Sequence, residues 1–127
     1  MLRMILGVLF IGMVLSKIFP GKEPPERTPE EKAKMAADEH RNLTGIRLAR
    51  EIKEKLRDPD SVKWSQILAS DDASVLCFVY RAKNGFGGMN IAHAIYADGT
   101  ISSSSKAWNK HCTADDLRPM ESLRRSL

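Results

Sequence analysis

The sequence predicts an α+β domain in which a long helix packs on an antiparallel β-meander of three or four strands and a short helix closes the chain. Two patterns carry this prediction. Downstream of Pro29, apolar residues recur at three- and four-residue steps, which is typical of an amphipathic helix. Around Val75 and Ile91, apolar residues alternate or run on between turn signals, which is typical of strands. A chain of 127 residues has room for one such domain plus accessory segments.

The first 19 residues predict a signal peptide or a membrane anchor. A short, positively charged start precedes an unbroken apolar run over Met4–Leu15. This run suits the core of a signal peptide, which is shorter than a bilayer span of about 20 residues, and cleavage would follow Ser16. Alternatively, extension to Phe19 gives a marginal transmembrane helix if Lys17 reaches the membrane interface. In either case we expect the cell envelope, with the domain anchored in the inner membrane facing the periplasm or released into the periplasm.

Residues 20–28 predict an extended linker. Three prolines, one glycine and four charges in nine positions leave no face that could be buried. The linker would hold the folded domain, residues 29–127, away from a membrane.

The long helix is predicted to begin at Pro29 and to end near Arg57. Thr28 and Glu31 around this proline form a capping box. The next proline stops the helix, because the residue before a proline avoids helical backbone angles. We expect the first half of the helix to project from the domain, since it is mostly charge and alanine. The second half carries an apolar stripe formed by Leu43, Ile46, Ala49, Ile52 and Leu56.

Three strands are predicted to follow the helix. The first runs over Val62–Leu68, the second over Val75–Tyr80 and the third over Ile91–Tyr96. The second strand is apolar on both faces, so it should be central in the sheet, with packing on each side.

The end of the chain predicts one more strand and the short helix. Residues 102–105 are all serine and suit a polar strand at the sheet edge. Thr113 and Asp116 form a second helix-start signature, for a helix that ends near Arg124.

The two cysteines predict a disulfide. An even number of cysteines behind an export leader is typical of an oxidised pair. A bond between Cys77 and Cys112 would tie the terminal segment to the central strand. The alternative is a reactive thiol at Cys112 beside His111, which would need a base held in place by a third group.

No catalytic or metal site is predicted. The histidines, His40, His93 and His111, share no spacing that would bring two metal ligands together. We expect His93, which lies between isoleucines of the third strand, to be partly buried and hydrogen-bonded. The acidic pairs at 71–72 and 115–116 fall at turn and cap positions. We therefore expect neither a metal nor a cofactor.

The charge balance argues against a nucleic-acid partner. Without Arg3 and Lys17 of the leader, the 20 basic residues fall to 18, against 16 acidic ones. A nucleic-acid-binding domain usually carries a much larger basic excess on one face.

The stretch between the second and third strands is the predicted binding site. Three glycines in four positions allow positive φ and a close approach of a partner. In one interpretation this is a binding loop, with Phe86 as its anchor and Asn84 and Asn90 as polar specificity groups. In the other, Phe86 folds back as a plug on the sheet and the asparagines cap the turn. The candidate binding residues are Lys83, Asn84, Phe86, Gly87, Gly88 and Asn90.

The sequence also resembles a known group of proteins over roughly residues 45–112. The matching features are the Asp-Pro-Asp-Ser at 58–61, Cys77, the A-K-N-G-F-G-G at 82–88, and a late tryptophan and cysteine. They are similar to a family of small uncharacterised exported envelope domains of bacteria and their prophages, built around C-x-x-x-N-A-K-N-x-[FY]-G-G. The chain has Phe78 where that pattern has a glycine, and Arg81 in place of its first asparagine. The resemblance implies an envelope location and a compact α+β fold, and no particular activity.

These observations predict an exported interaction module without catalysis, which binds an envelope protein. For a prophage-encoded member, exclusion of a second phage would suit a small anchored envelope protein. One alternative is a small cell-envelope hydrolase using His93 or His111, although the sequence offers it no set of nucleophile, base and orienting group. Another is an assembly subunit of a secretion or conjugation machine, in which the helix from Pro29 packs on partners.

Overall fold

The computed structural model describes residue 21 and residues 24–127, and these form the predicted α+β architecture. The helices are α1 (Pro29–Glu54), α2 (Ser105–His111) and α3 (Glu121–Ser126). The strands are β1 (Lys63–Ala69), β2 (Leu76–Lys83), β3 (Met89–Ala97), β4 (Thr100–Ser102) and β5 (Arg118–Pro119). They form one antiparallel sheet in the order β4-β3-β2-β1-β5.

The predicted leader, residues 1–19, lies outside the described residues, and so do residues 20, 22 and 23 of the linker. Within the described part of the chain, no helix combines the length and the apolarity that a membrane span requires.

The start of α1 confirms the predicted capping box. The Thr28 hydroxyl accepts a hydrogen bond from the backbone N–H of Glu31 at 3.2 Å, and the Glu31 carboxylate accepts one from the N–H of Thr28 at 2.9 Å. The helix ends at Glu54, earlier than predicted. The N–H groups of Lys55 and Leu56 donate to carbonyls three residues back, at 3.2 and 3.0 Å, so the last turn tightens and the α-helix ends. A short 3₁₀ helix follows at Pro59–Ser61.

The buried face of α1 differs in part from the predicted stripe. Ala49 and Ile52 are buried, as predicted, but Leu43 is 60% exposed. Compared with the predicted stripe, the buried face of α1 is shifted around the helix toward Gly45. This glycine packs so closely on α3 that an added Cβ would overlap the Leu123 side chain. Residues 29–37 of α1 are exposed, as predicted for the first half of the helix, but Arg41 is buried.

Two apolar clusters confirm that β2 is a central strand. On one face, Leu76, Phe78 and Tyr80 pack in the main core with α1 and α3. On the other face, Cys77 packs in a smaller cluster with Ile95, and α2 covers this cluster. The alternation of residues along β2 and β3 therefore gives the sheet an α1 face and an α2 face.

The predicted disulfide between Cys77 and Cys112 is present, with the two Cα atoms 5.9 Å apart. It joins the end of α2 to the centre of the sheet. Both cysteines are buried, so the alternative of a reactive thiol at Cys112 is wrong.

Two predictions downstream of β3 are wrong. The serine run does not continue as a strand beyond Ser102, because the Ser104 hydroxyl caps α2 by accepting from the N–H of Ala107 at 3.1 Å. No helix begins at Thr113, whose hydroxyl instead donates to the carbonyl of Asn109 at 3.0 Å. The final helix begins only at Glu121, after β5.

Candidate functional site

The predicted binding residues lie together at the turn between β2 and β3, called here the hairpin tip (residues 83–90). The strands are in register up to the pair Lys83–Met89. The Asn84 N–H donates to the carbonyl of Gly88 at 2.8 Å, and the Gly87 N–H donates to the carbonyl of Asn84 at 3.2 Å. Gly87 has φ +83°, so a left-handed residue closes the short loop. These bonds give the tip one defined shape.

Asn84 holds this turn through its side chain. Its carbonyl oxygen accepts from the N–H groups of Phe86 at 2.9 Å and Gly88 at 3.0 Å. Its amide nitrogen lies 3.4 Å from the side-chain oxygen of Asn90. Asn84 therefore caps the turn, as predicted, and its side-chain oxygen is engaged within the tip, whereas the Asn90 side chain contacts only that of Asn84 and caps no backbone group among the described residues.

The base of the tip is held by the segment that follows α1. The Lys83 N–H donates to the Ser61 hydroxyl at 2.8 Å. The Arg57 guanidinium lies so close to Gly85 that an added Cβ there would overlap it. The sequence did not predict either contact, because both join residues more than 20 positions apart.

Phe86 is fully exposed, at 100% of its accessible surface. The interpretation of Phe86 as a plug folded back on the sheet is therefore wrong. The loop is too short for that: Asn84 and Gly87 close it around Phe86, which leaves the ring clear of both sheet faces. The tip presents a large apolar side chain to solvent on a shaped support.

Apolar exposure continues from the tip along one face of the hairpin. Met89 and Ile91 are 41% and 60% exposed. They share the α2 face with Arg81 and Lys83, which lie directly opposite them on β2. The hairpin therefore combines exposed apolar side chains with basic ones.

His93 and His111, the histidines considered for a hydrolase, each lie against one neighbouring side chain. His93 is exposed rather than partly buried, and its ring lies 4.7 Å from the ring of Trp108. The His111 Nε2 lies 3.9 Å from a carboxylate oxygen of Asp98. Among the described residues, no hydroxyl is hydrogen-bonded to either ring, and no group of histidine, cysteine or acidic side chains could hold a metal.

The acidic turn between β1 and β2 has a structural role. The Asp72 carboxylate accepts from the hydroxyls of Ser74 at 2.7 Å and Ser70 at 2.8 Å, and from the Ser74 N–H at 3.0 Å. The hydrogen bonds from Ser74, with the smaller one from Ser70, lower the pKa of Asp72 to about 2. Neighbouring Asp71 pairs with Arg118 and Arg41.

No protein-family model, no curated protein and no solved structure matches this chain.

Proposed function

We propose that this chain is an exported interaction module of the cell envelope that captures an envelope protein through the hairpin tip. It is held at the inner membrane by residues 1–19 or released into the periplasm, and it has no catalytic activity of its own. The observation that carries the proposal is the full exposure of Phe86 on a turn whose shape is fixed by its own hydrogen bonds.

An exposed phenylalanine on a shaped turn is a ready-made anchor. Burying one such ring in a partner would contribute about 1.5 to 3 kcal/mol of binding free energy. Because Asn84 and Gly87 already fix the turn, binding would not have to order this loop, and that lowers the entropic cost. Aromatic side chains at the centre of a patch, with polar groups around them, are the usual energetic centres of protein interfaces. Lys83 and Asn90 would form part of that polar surround.

The disulfide supports export. A disulfide such as Cys77–Cys112 persists in an oxidising compartment and is rare in a reducing cytosol. Together with the apolar leader, this favours a periplasmic location of the folded domain. The resemblance to exported envelope and prophage domains supports the narrower proposal that the partner belongs to the machinery through which phage DNA enters.

A role as an assembly subunit is the second candidate, and the exposed first half of α1 favours it. Residues 29–37 are all exposed. Met35 within this stretch and Leu43 farther along the helix give it exposed apolar surface. Packing of α1 on other subunits would bury this surface. The hydrolase alternative has no comparable support, since neither His93 nor His111 contacts a nucleophile in the described structure.

The deciding experiment substitutes the anchor and measures folding and binding separately. We expect Phe86→Ala to leave the free energy of unfolding within about 0.5 kcal/mol of the parent, since an exposed side chain makes no packing contribution. The same change should abolish capture of the envelope partner in cross-linking from intact cells. Leu43→Ala is the matched control, because it removes an exposed apolar side chain from α1 and should leave capture at the tip unchanged.

Asn90→Ala tests how much a polar side chain at the edge of the hairpin tip contributes to partner capture. Its side chain is polar and peripheral, so we expect a modest loss of capture and little change in stability. If Phe86→Ala folds and captures the partner normally, the tip is not the binding site. If Leu43→Ala alone loses capture, α1 carries the interaction and the assembly-subunit role is favoured.

A further inference from the structure

The outer edge of β3 is open next to the hairpin tip. β4 pairs only with Ile95, Tyr96 and Ala97 at the far end of β3. In the described structure, residues 89–94 pair with β2 on one side and with no strand on the other. An unpaired edge presents a row of backbone donors and acceptors to which another strand can bind.

This edge lacks the features that usually prevent strand addition. Residues 89–94 read Met-Asn-Ile-Ala-His-Ala, with no proline and no lysine, arginine or acid, and their register with β2 is unbroken. The opposite edge of the same sheet is different. There β1 begins with Lys63, has an irregularity between Trp64 and Gln66, and is partly covered by β5. One edge is protected and the other is left available.

A groove accompanies the open edge on the α1 face. It has a volume of about 240 Å³ and lies where β4 stops, between the end of α1 and the sheet. Its apolar lining comes from Ile52, Leu56, Tyr80, Ala94 and Ile101. A strand that continued the line of β4 along β3 would direct alternate side chains toward this groove.

The basic side chains beside the open edge of β3 indicate the charge that a bound partner segment would carry. Arg81 and Lys83 are exposed on β2, directly beside this part of β3, and neither forms an ion pair with another described residue. The strands β1 to β4 contain no acidic residue at all. An acidic segment is therefore complementary to this surface.

We propose that an extended segment of the partner, with acidic residues and one large apolar side chain, adds to the sheet as a strand along residues 89–94 of β3. This inference rests on the proposed function, because it names the kind of segment by which the partner of the hairpin tip is held. The backbone of β3 supplies hydrogen bonds, the groove receives the apolar side chain, and Arg81 and Lys83 attract the acidic ones.

A second copy of this chain is a poorer occupant of the edge. In an antiparallel pairing of two β3 strands, the side chains that β3 offers on the α1 face are Asn90, Ala92 and Ala94. These are small or polar and would leave the groove empty. Such a pairing would also bring together two surfaces with the same basic charge.

The test is a peptide titration on the full-length protein. The probe is a labelled ten-residue peptide in which glutamate alternates with valine and one central valine is replaced by leucine. We expect binding by fluorescence anisotropy, together with slowed amide exchange at residues 89–94. The version with lysine in place of glutamate should bind about tenfold more weakly.

Backbone methylation distinguishes strand addition from other contacts. Amide groups of a strand point alternately to its two sides, so N-methylation of one alternating set should reduce affinity about tenfold while methylation of the other set has little effect. Arg81→Glu should weaken binding by a similar factor. The control Arg125→Glu makes the same charge change on α3 and should bind as the parent does.

Several outcomes would overturn the proposal. These are no binding of the glutamate peptide, equal effects of the two methylation patterns, or no dependence on charge. Protection of β3 that rises with protein concentration in the absence of peptide would assign the edge to a second copy. Protection by anionic vesicles in place of the peptide would assign it to a lipid surface.

The peptide titration is independent of the proposed function. Failure of the tip proposal appears as normal partner capture by Phe86→Ala in cells. Failure of the edge proposal appears in the titration, which does not use the native partner.

Discussion

Gly87 shows how far the turn chemistry of single residues can be predicted. Three glycines and two asparagines between strands are enough to predict a tight turn, and φ of +83° at Gly87 confirms that a left-handed residue is needed there. The exposure of Phe86 does not follow from the same pattern. The same sequence is compatible with Phe86 packed on the sheet and with Phe86 exposed as a binding anchor. Only the three-dimensional course of the loop decides between these two positions.

We expect Gly87→Ala to destabilise the protein by about 1 kcal/mol, because an alanine side chain is strained at this backbone angle. Nothing lies within 4 Å of the position of the added Cβ, so the cost would come from the backbone alone. Urea unfolding of the parent and the variant measures it. Gly21→Ala is the control, since that position has equal space and no positive φ, and its unfolding midpoint should not change. An unchanged midpoint in Gly87→Ala would show that the turn relaxes at no cost.

Arg41 marks the limit of prediction at the residue scale. It follows Asp38, Glu39 and His40 in the half of α1 that is predicted to project, yet it is 9% exposed. Its guanidinium donates to the backbone carbonyl of Asp71 at 3.0 Å and forms an ion pair with Asp38. No local pattern identifies this arginine, because the partner that buries it lies 30 residues away.

Asp72 gives a pH prediction. Its pKa in the folded protein is about 2, below the ordinary value of 3.8, because Ser74 and Ser70 donate hydrogen bonds to the charged carboxylate. A lowered pKa means that the ionised form stabilises the fold above pH of about 4, and that this stabilisation is lost as the pH falls toward 2. We expect melting temperatures to fall across this range.

Asp72→Ala should make that decrease shallower and lower the melting temperature at neutral pH, and Ser74→Ala should do the same to a smaller extent. Asp60→Ala is the control, since this exposed carboxylate accepts no hydrogen bond from another described residue. If the melting temperature falls equally steeply toward low pH in Asp72→Ala and in the parent, Asp72 is not the source of this pH dependence.

At the scale of whole elements, long periodic segments could be predicted and short ones could not. The capping box and the proline define the start of α1, and the two-sided apolar pattern of β2 identifies a central strand. The short elements α2, β5 and α3 have seven, two and six residues, so their local preference is weak. Their form is decided by packing, as in α2, which covers Cys77 and Ile95.

The disulfide is the largest single stabilising link that can be tested at this scale. It closes a loop with a sequence separation of 35, for which the chain-entropy relation gives about 3 to 4 kcal/mol. We expect reduction, or the double change of Cys77→Ala and Cys112→Ala, to lower the free energy of unfolding by that amount. Denaturant titration with and without reductant measures it. Stoichiometric labelling of either cysteine in the native, unreduced protein would contradict the bond.

For the molecule as a whole, the direction of α1 places the tip at one end of the domain. Arg41 meets the β1–β2 turn, while Arg57 follows the end of α1 and reaches Gly85 of the tip. The helix therefore runs alongside β2 toward the tip. Its 26 residues span about 39 Å. The exposed first half extends beyond the sheet, so the tip lies far from the linker.

This geometry fits a domain that is held at its amino-terminal end and presents its binding surface at the other. The linker and the projecting half of α1 would act as a stalk. The sequence predicts a leader, which lies outside the described residues, and a charged helical half, of which residues 29–37 are exposed. It could not predict that the tip lies at the opposite end, because that depends on how α1 crosses the sheet.

The last prediction concerns export of the whole chain. A reporter that is active only outside the cytoplasm, fused after Leu127, should be active, because the disulfide requires an oxidising compartment. Mass measurement of the envelope protein should give either the intact chain or one that begins near Lys17, and these two results separate an anchor from a cleaved signal peptide. A chain starting at Gly21 and made in the cytosol is the matched control. Its cysteines should label fully once the chain is unfolded in denaturant without reductant, and its melting temperature should rise on oxidation. A fusion that is active only as a cytoplasmic reporter would overturn the export proposal while leaving the tip and the edge to be tested on the purified protein.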